Sequence, residues 1–157
     1  MGAHGITLAE EGHVVTLIAP VNATTALTSE IFSMENYAHA TIIVYGGAGS
    51  SVTITISECD DFTPSSAATI TYAYTQETTA AGDTQVAALA EAGTAGVALG
   101  IATGVYTIIE IDGEQMTDGM PCLQLNITDP GAGKVVCATA ILTGGRYMKD
   151  ITPTAIV

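Results

Sequence analysis

The clearest signal in the chain is an alternation of apolar and polar residues. Val52, Ile54 and Ile56 alternate with Thr53, Thr55 and Ser57. Ile70, Tyr72 and Tyr74 alternate with Thr69, Thr71 and Ala73, and Leu123, Leu125 and Ile127 alternate with Gln124, Asn126 and Thr128. Successive side chains of a strand point to opposite faces, so each run predicts a strand that buries one face and wets the other. Threonine on the wet face strengthens the prediction, because its branched Cβ suits a pleated surface.

A second group of runs is apolar on both faces: Thr41–Tyr45 (TIIVY), Val105–Ile111 (VYTIIEI) and Val135–Leu142 (VVCATAIL). Such strands are expected in the middle of a sheet, or covered on their second face by a partner chain. His13–Ala19 (HVVTLIA) completes the set, and Ile31–Met34 predicts a short edge strand in an otherwise aperiodic, Thr-rich stretch from Pro20 to Glu35.

Turn chemistry separates these runs. Gly46-Gly47-Ala48-Gly49-Ser50 reads as a hairpin loop, Asp60 to Ser66 as a break, Asp112-Gly113 as the start of a loop ending near Pro121, and Asp129 to Gly133 as a tight connection. Asp83–Ala92 (DTQVAALAEA) fits either a short helix, with Asp83 as N-cap and Gly93 beyond its end, or strand. The expectation is an all-β, antiparallel β-sandwich, jelly-roll-like, of about eight strands. Residues 1–157 are read as one domain, with an N-terminal arm over 1–12 and a C-terminal tail over 148–157 that ends apolar in Ala155-Ile156-Val157 and docks on its own domain or on a neighbour.

Composition narrows the function. An apolar fraction of 48% against 12% charged residues excludes a disordered chain. Sixteen acids face three bases, Lys134, Arg146 and Lys149, for a net charge of −13. Binding to nucleic acid depends on neutralising phosphates, so this balance argues against nucleic-acid partners and equally against anionic membranes. No window approaches the roughly 18 apolar residues of a membrane helix. Met1 to Glu11 lacks the basic start and apolar core of a secretory signal, which points to a cytoplasmic origin.

Candidate chemistry is sparse. Cys59, Cys122 and Cys137 are odd in number and none has CxxC spacing; small buried thiols are expected, and a disulfide between Cys122 and Cys137, in neighbouring predicted strands, is geometrically open. His4, His13 and His39 form no HExxH or other local ligand set. No GxSxG or phosphate-loop pattern occurs. The carboxylates Glu10-Glu11, Asp60-Asp61 and Glu110, Asp112, Glu114 are read as solvated loop acids rather than a calcium loop, because EF-hand spacing is missing. The two Asn-x-Thr sequons at Asn22 and Asn126 are chance matches in a Thr-rich chain. No catalytic, cofactor or metal site is therefore assigned, and no enzymatic activity is expected.

Three segments carry a resemblance: Met34-Glu35-Asn36-Tyr37 entering the strand at His39, Gly119-Met120-Pro121-Cys122-Leu123-Gln124-Leu125, and Ile141-Leu142-Thr143-Gly144-Gly145-Arg146-Tyr147. In order and spacing, over residues 13 to 147, they resemble small β-rich proteins encoded beside the capsid genes of tailed phages and prophages. That family has Asp-Pro-like residues where this chain has Gly144-Gly145, a difference within a turn. The resemblance implies a capsid decoration or cement protein, made in the host cytoplasm and placed on the outside of the head. Its partners would be the major capsid protein and further copies of itself, a trimer ahead of a dimer. Arg146, Tyr147, Lys149, Ile156 and Val157 are the candidate partner contacts, as scarce bases beside an apolar tail. Two other readings compete: a glycan- or host-surface-binding sandwich, against which the shortage of aromatics counts, and a hydrolase built on a pair of loop carboxylates in a deep pocket.

Overall fold

The computed structural model describes residues 8–80, 82–83, 85, 89–145 and 156. A single helical turn, α1 (Leu8–Glu11), precedes strands β1 (His13–Ala23), β2 (Leu27–Thr28), β3 (Phe32–Ser33), β4 (His39–Gly49) and β5 (Val52–Cys59). Then follow β6 (Ala67–Ile70), β7 (Tyr72–Glu77), β8 (Ala90–Ala92), β9 (Val97–Leu99) and β10 (Val105–Asp112). A 3-10 turn over Gly113–Gln115 leads to β11 (Cys122–Ile127) and β12 (Lys134–Thr143).

The strands form two antiparallel sheets packed face to face. The first has the order β1-β12-β4-β10-β7-β8. In the second, β11 and β5 pair centrally; β2 and β3 share the outer side of β11, and β6 and β9 share the outer side of β5. Followed along the chain, β1, β2/β3, β4, β5, β9, β10, β11 and β12 give the spatial orders 1-8-3-6 and 2-7-4-5, the jelly-roll path. The segment β6–β8 is inserted into that path and widens both sheets.

The two hydrophobic patterns sort by sheet. The runs apolar on both faces became β12, β4 and β10, three neighbours in the middle of the first sheet. The strictly alternating runs at 52–57 and 123–128 became β5 and β11, the centre of the second. The core lies between them: Ala40, Ile42, Val44, Ile109, Ile111, Ala140 and Leu142 meet Ile54, Ile56, Leu123 and Leu125, all buried to the last percent. Full burial of each Ile or Leu contributes about 1.5–3 kcal/mol. Tyr72 ties the layers, its hydroxyl donating to the Ile54 carbonyl at 2.7 Å; burial pushes its phenol well above the usual range.

Several expectations are corrected. Gly46 to Gly49 continue β4, pairing with Val105, Val136 and Lys134, and β4 and β5 lie in different sheets, so this stretch is no hairpin loop. The glycines serve close approach instead: a Cβ on Gly46 would meet Leu99 Cδ2 at 2.9 Å, and Gly49, at φ +142°, lies against Gly133. The run Thr69–Tyr74 is divided at Thr71, where the chain switches from the second sheet to the first. Within 83–92, Ala90–Ala92 is strand and the other described positions carry no regular structure. β1 runs on through Pro20 to Ala23 with two register shifts. Cys122 and Cys137 belong to different sheets, and their side chains face away from each other across the sandwich, so they do not pair.

Candidate assembly surface

The register of the first sheet arranges its outward side chains in rows. Tyr106, Tyr45 and Cys137 form one row. Ile108, Ile43, Thr139 and Thr16 form the next, and Glu110, Thr41, Ile141 and Val14 the third. Asp112, His39 and Thr143 close the face at the lower end. Tyr45 is 46% and Val14 54% exposed, and Ile43, Ile108, Ile141, Tyr106 and Cys137 are half-buried. Four strands about 4.8 Å apart and four rows about 7 Å apart outline roughly 300–400 Å² of face, and its apolar side chains are concentrated in the rows of Tyr45 and Ile43. Gly12, just past α1, lies beside Ile141 at its rim.

On these four strands charge gathers at one corner, while Glu77 of β7, opposite Tyr106, is buried on the same side of the sheet. The His39 ring sits between two carboxylates, with Nδ1 2.7 Å from Asp112 Oδ1 and Nε2 2.7 Å from Glu110 Oε2; Thr41 donates to the same Glu110 oxygen. Partial burial disfavours the imidazolium, but hydrogen bonds to Asp112 and then Glu110, with their charge, outweigh it and raise the His39 pKa. Because the ring separates them, Glu110 and Asp112 do not converge on a common point. Glu114, grouped with them in the sequence, sits exposed in the 3-10 turn. Among the described residues no group of three or more His, Cys, Asp or Glu is placed to hold a metal ion.

The outward face of the second sheet is different in kind. Thr28, Asn126 and Thr55 align in one row, and Gln124, Ser57 and Thr69 in another. Asn126 Nδ2 donates to Ser57 Oγ at 3.3 Å. Over these two rows the face is polar and uncharged, and toward the lower end Cys122 and Cys59 follow on the same side of the sheet.

At the lower end, a cleft of about 330 Å³ is lined by Met34, Met116, Met120, Pro121 and the carboxylates Glu35 and Asp118. Both acids are exposed. Its loop is fixed from below by buried Glu58, which accepts from Thr117 N at 2.8 Å and from Thr117 Oγ1. Asp60 organises the neighbouring loop; bonds from the Ser65 hydroxyl and then the Ser66 amide hold its carboxyl below the usual range.

Of the residues singled out in the sequence, Arg146, Tyr147, Lys149 and Val157 lie outside the described residues. Ile156 is half-buried against the chain's own core. Lys134, counted as a potential phosphate ligand, has no exposed surface: its ammonium donates to the carbonyls of Gly47 at 2.8 Å and Gly100 at 2.6 Å, and burial lowers its pKa. No Lys or Arg side chain is exposed among the described residues. No described helix is long and apolar enough to cross a membrane.

Fold and surface define a jelly-roll sandwich with one apolar outward face. The crystal structure of the SPBc2 prophage-derived protein YomS is similar to it, with a TM-score of 0.51 at 15% sequence identity over 85% of this chain and 94% of that one. At that identity the likeness concerns the fold. No protein-family model and no curated protein matches the chain.

Proposed function

We propose that this chain is a structural protein of a tailed-phage particle, a decoration or cement protein that binds the outside of the head and associates with copies of itself through the outward face of the first sheet. The observation that carries this reading is the set of three neighbouring strands, β12, β4 and β10, that keep apolar side chains on the face turned away from the core. A sandwich that needed only its own core would carry polar residues there, as the second sheet does in the rows of Asn126 and Gln124. The likeness of fold to a prophage-derived protein supports the phage setting. The acidic surface supports a role facing solvent rather than packaged nucleic acid. Closed symmetry, a trimer on a local threefold, fits repeated attachment to a shell.

The reading assigns the chain no catalysis. Glu35 and Asp118 are exposed, whereas a carboxyl tuned for acid–base work is usually set in apolar surroundings. The test is reconstitution. Capsids of a host phage lacking the protein should gain density at symmetric surface positions in electron micrographs and resist heat better when it is added back. A chain that stays monomeric at high concentration and leaves capsids bare would overturn the reading.

A further inference from the structure

A second small cluster lies outside the main core, on the outward side of the second sheet near its lower end. It consists of Ile31, Cys59 and Cys122, with Phe62 packed against them. Cys59 and Cys122 are both free and fully buried, and they stand directly opposite each other in the β5–β11 ladder.

The ladder fixes what kind of pair they form. The Leu125 amide and carbonyl bond to Ser29 on the far side of β11, while the Thr128 amide bonds to Thr53 on the β5 side. Even-numbered residues of β11 therefore bond to β5, and Cys122–Cys59 is a hydrogen-bonded antiparallel pair. Such pairs have Cα atoms about 5.5 Å apart, inside the disulfide range of roughly 4.4–6.8 Å, while their Cβ atoms, about 5.5 Å apart in this type of pair, must approach by about 1 Å to reach the roughly 3.5–4.5 Å that a disulfide spans. Both side chains project to the same side of the sheet and share one apolar pocket.

We infer that Cys59 and Cys122 form a latent cross-strand disulfide that closes when the protein meets an oxidising environment. A thiolate of one cysteine attacks a small-molecule disulfide such as oxidised glutathione and releases one glutathione thiolate. The second cysteine then attacks the mixed disulfide and releases the other. The Cys59 Sγ–Cys122 Sγ bond forms, two S–H bonds are lost with their protons going to solvent, and the oxidant takes two electrons. Closure is slow, because the Phe62 side chain covers the pair and burial, with the neighbouring Cys59, pushes the Cys122 thiol up to about 11. Cys137, half-buried on the opposite sheet, takes no part. The bridge would clamp β5 to β11 where the loops 60–66 and 116–121 begin, and it does not depend on the role proposed above.

The experiment incubates the full chain with oxidised glutathione over pH 8 to 10 and counts free thiols, intact mass and cross-linked peptides. The expected result is a fall from three thiols to one, a loss of two hydrogens, and a proteolytic peptide pair joining Cys59 to Cys122. The rate should climb about tenfold per pH unit, and the oxidised form should melt roughly 5 °C or more above the reduced one. Cys137→Ser should leave all of this unchanged, and Cys59→Ala or Cys122→Ala should each abolish it. Peptide mapping of the unsubstituted chain decides the matter even if a variant fails to fold. Three persistent thiols at pH 10, a stable glutathione adduct without closure, or dimers linked through Cys137 as the only product would each overturn the inference.

Discussion

The two outward faces of the sandwich are built on the same strand geometry and differ almost wholly in side chains. On the first sheet, Tyr45, Ile43, Ile108 and Ile141 leave apolar surface half-exposed. On the second, Thr28, Thr55, Ser57, Thr69, Gln124 and Asn126 occupy the equivalent outward positions. Both inner faces meet in one core, so folding alone gives no reason for the difference. The lesson is that outward-facing residues report on what a sheet meets after it has folded. Here one face carries side chains suited to water, and the other is the face proposed above to meet a protein surface.

Charge placed on the apolar face should have the largest effect. Ile43→Lys with Ile108→Lys puts two like charges directly opposite each other at the centre of the proposed interface. Self-association should weaken at least about 100-fold, read by light scattering or sedimentation, with the circular dichroism of the monomer unchanged. Next in size, Tyr45→Ala removes the most projecting aromatic ring of the face and should cost association about 2 kcal/mol. A third test addresses the charged corner. The stabilisation from His39 with Asp112 and Glu110 is fully present below the unfolded histidine value of about 6.5. It is lost as pH rises through the raised folded value, because the native state then holds the proton that the unfolded state has released. His39→Gln should therefore cost under about 1 kcal/mol at pH 6, the scale of an exposed pair, and nearly nothing at pH 9, as measured by urea unfolding. The smallest effect sharpens the contrast: Thr55→Lys on the polar face should change stability by no more than about 0.5 kcal/mol and leave the oligomeric state as it was.

Much of this fold was legible from period and branching. The runs at 13, 41, 52, 105, 123 and 135 all became strands, and the runs apolar on both faces correctly pointed to the middle of a sheet. Glycine misled where its use was steric: Gly46 and Gly49 mark contacts with Leu99 and Gly133 rather than a turn. The division at Thr71 was hidden because Ile70, Tyr72 and Tyr74 stay inward while the chain changes sheets. The His39 bracket depends on a register between positions 39 and 110–112, more than 70 residues apart, which periodicity does not encode. Lys134 stands at the start of an apolar strand, and only the carbonyls of Gly47 and Gly100, remote in sequence, reveal why it is buried.

A long unpaired strand side is a template for adding further chains edge to edge, the route to uncontrolled fibres. Among the described residues none of the margins of the two sheets offers one. β1 is interrupted by two register shifts and Pro20, β8 is three residues long, and both sides of the second sheet are made of the short pieces β2, β3, β6 and β9. Short and irregular margins of this kind disfavour growth by strand addition, which leaves side chains on the faces, rather than backbone at the edges, to select any partner.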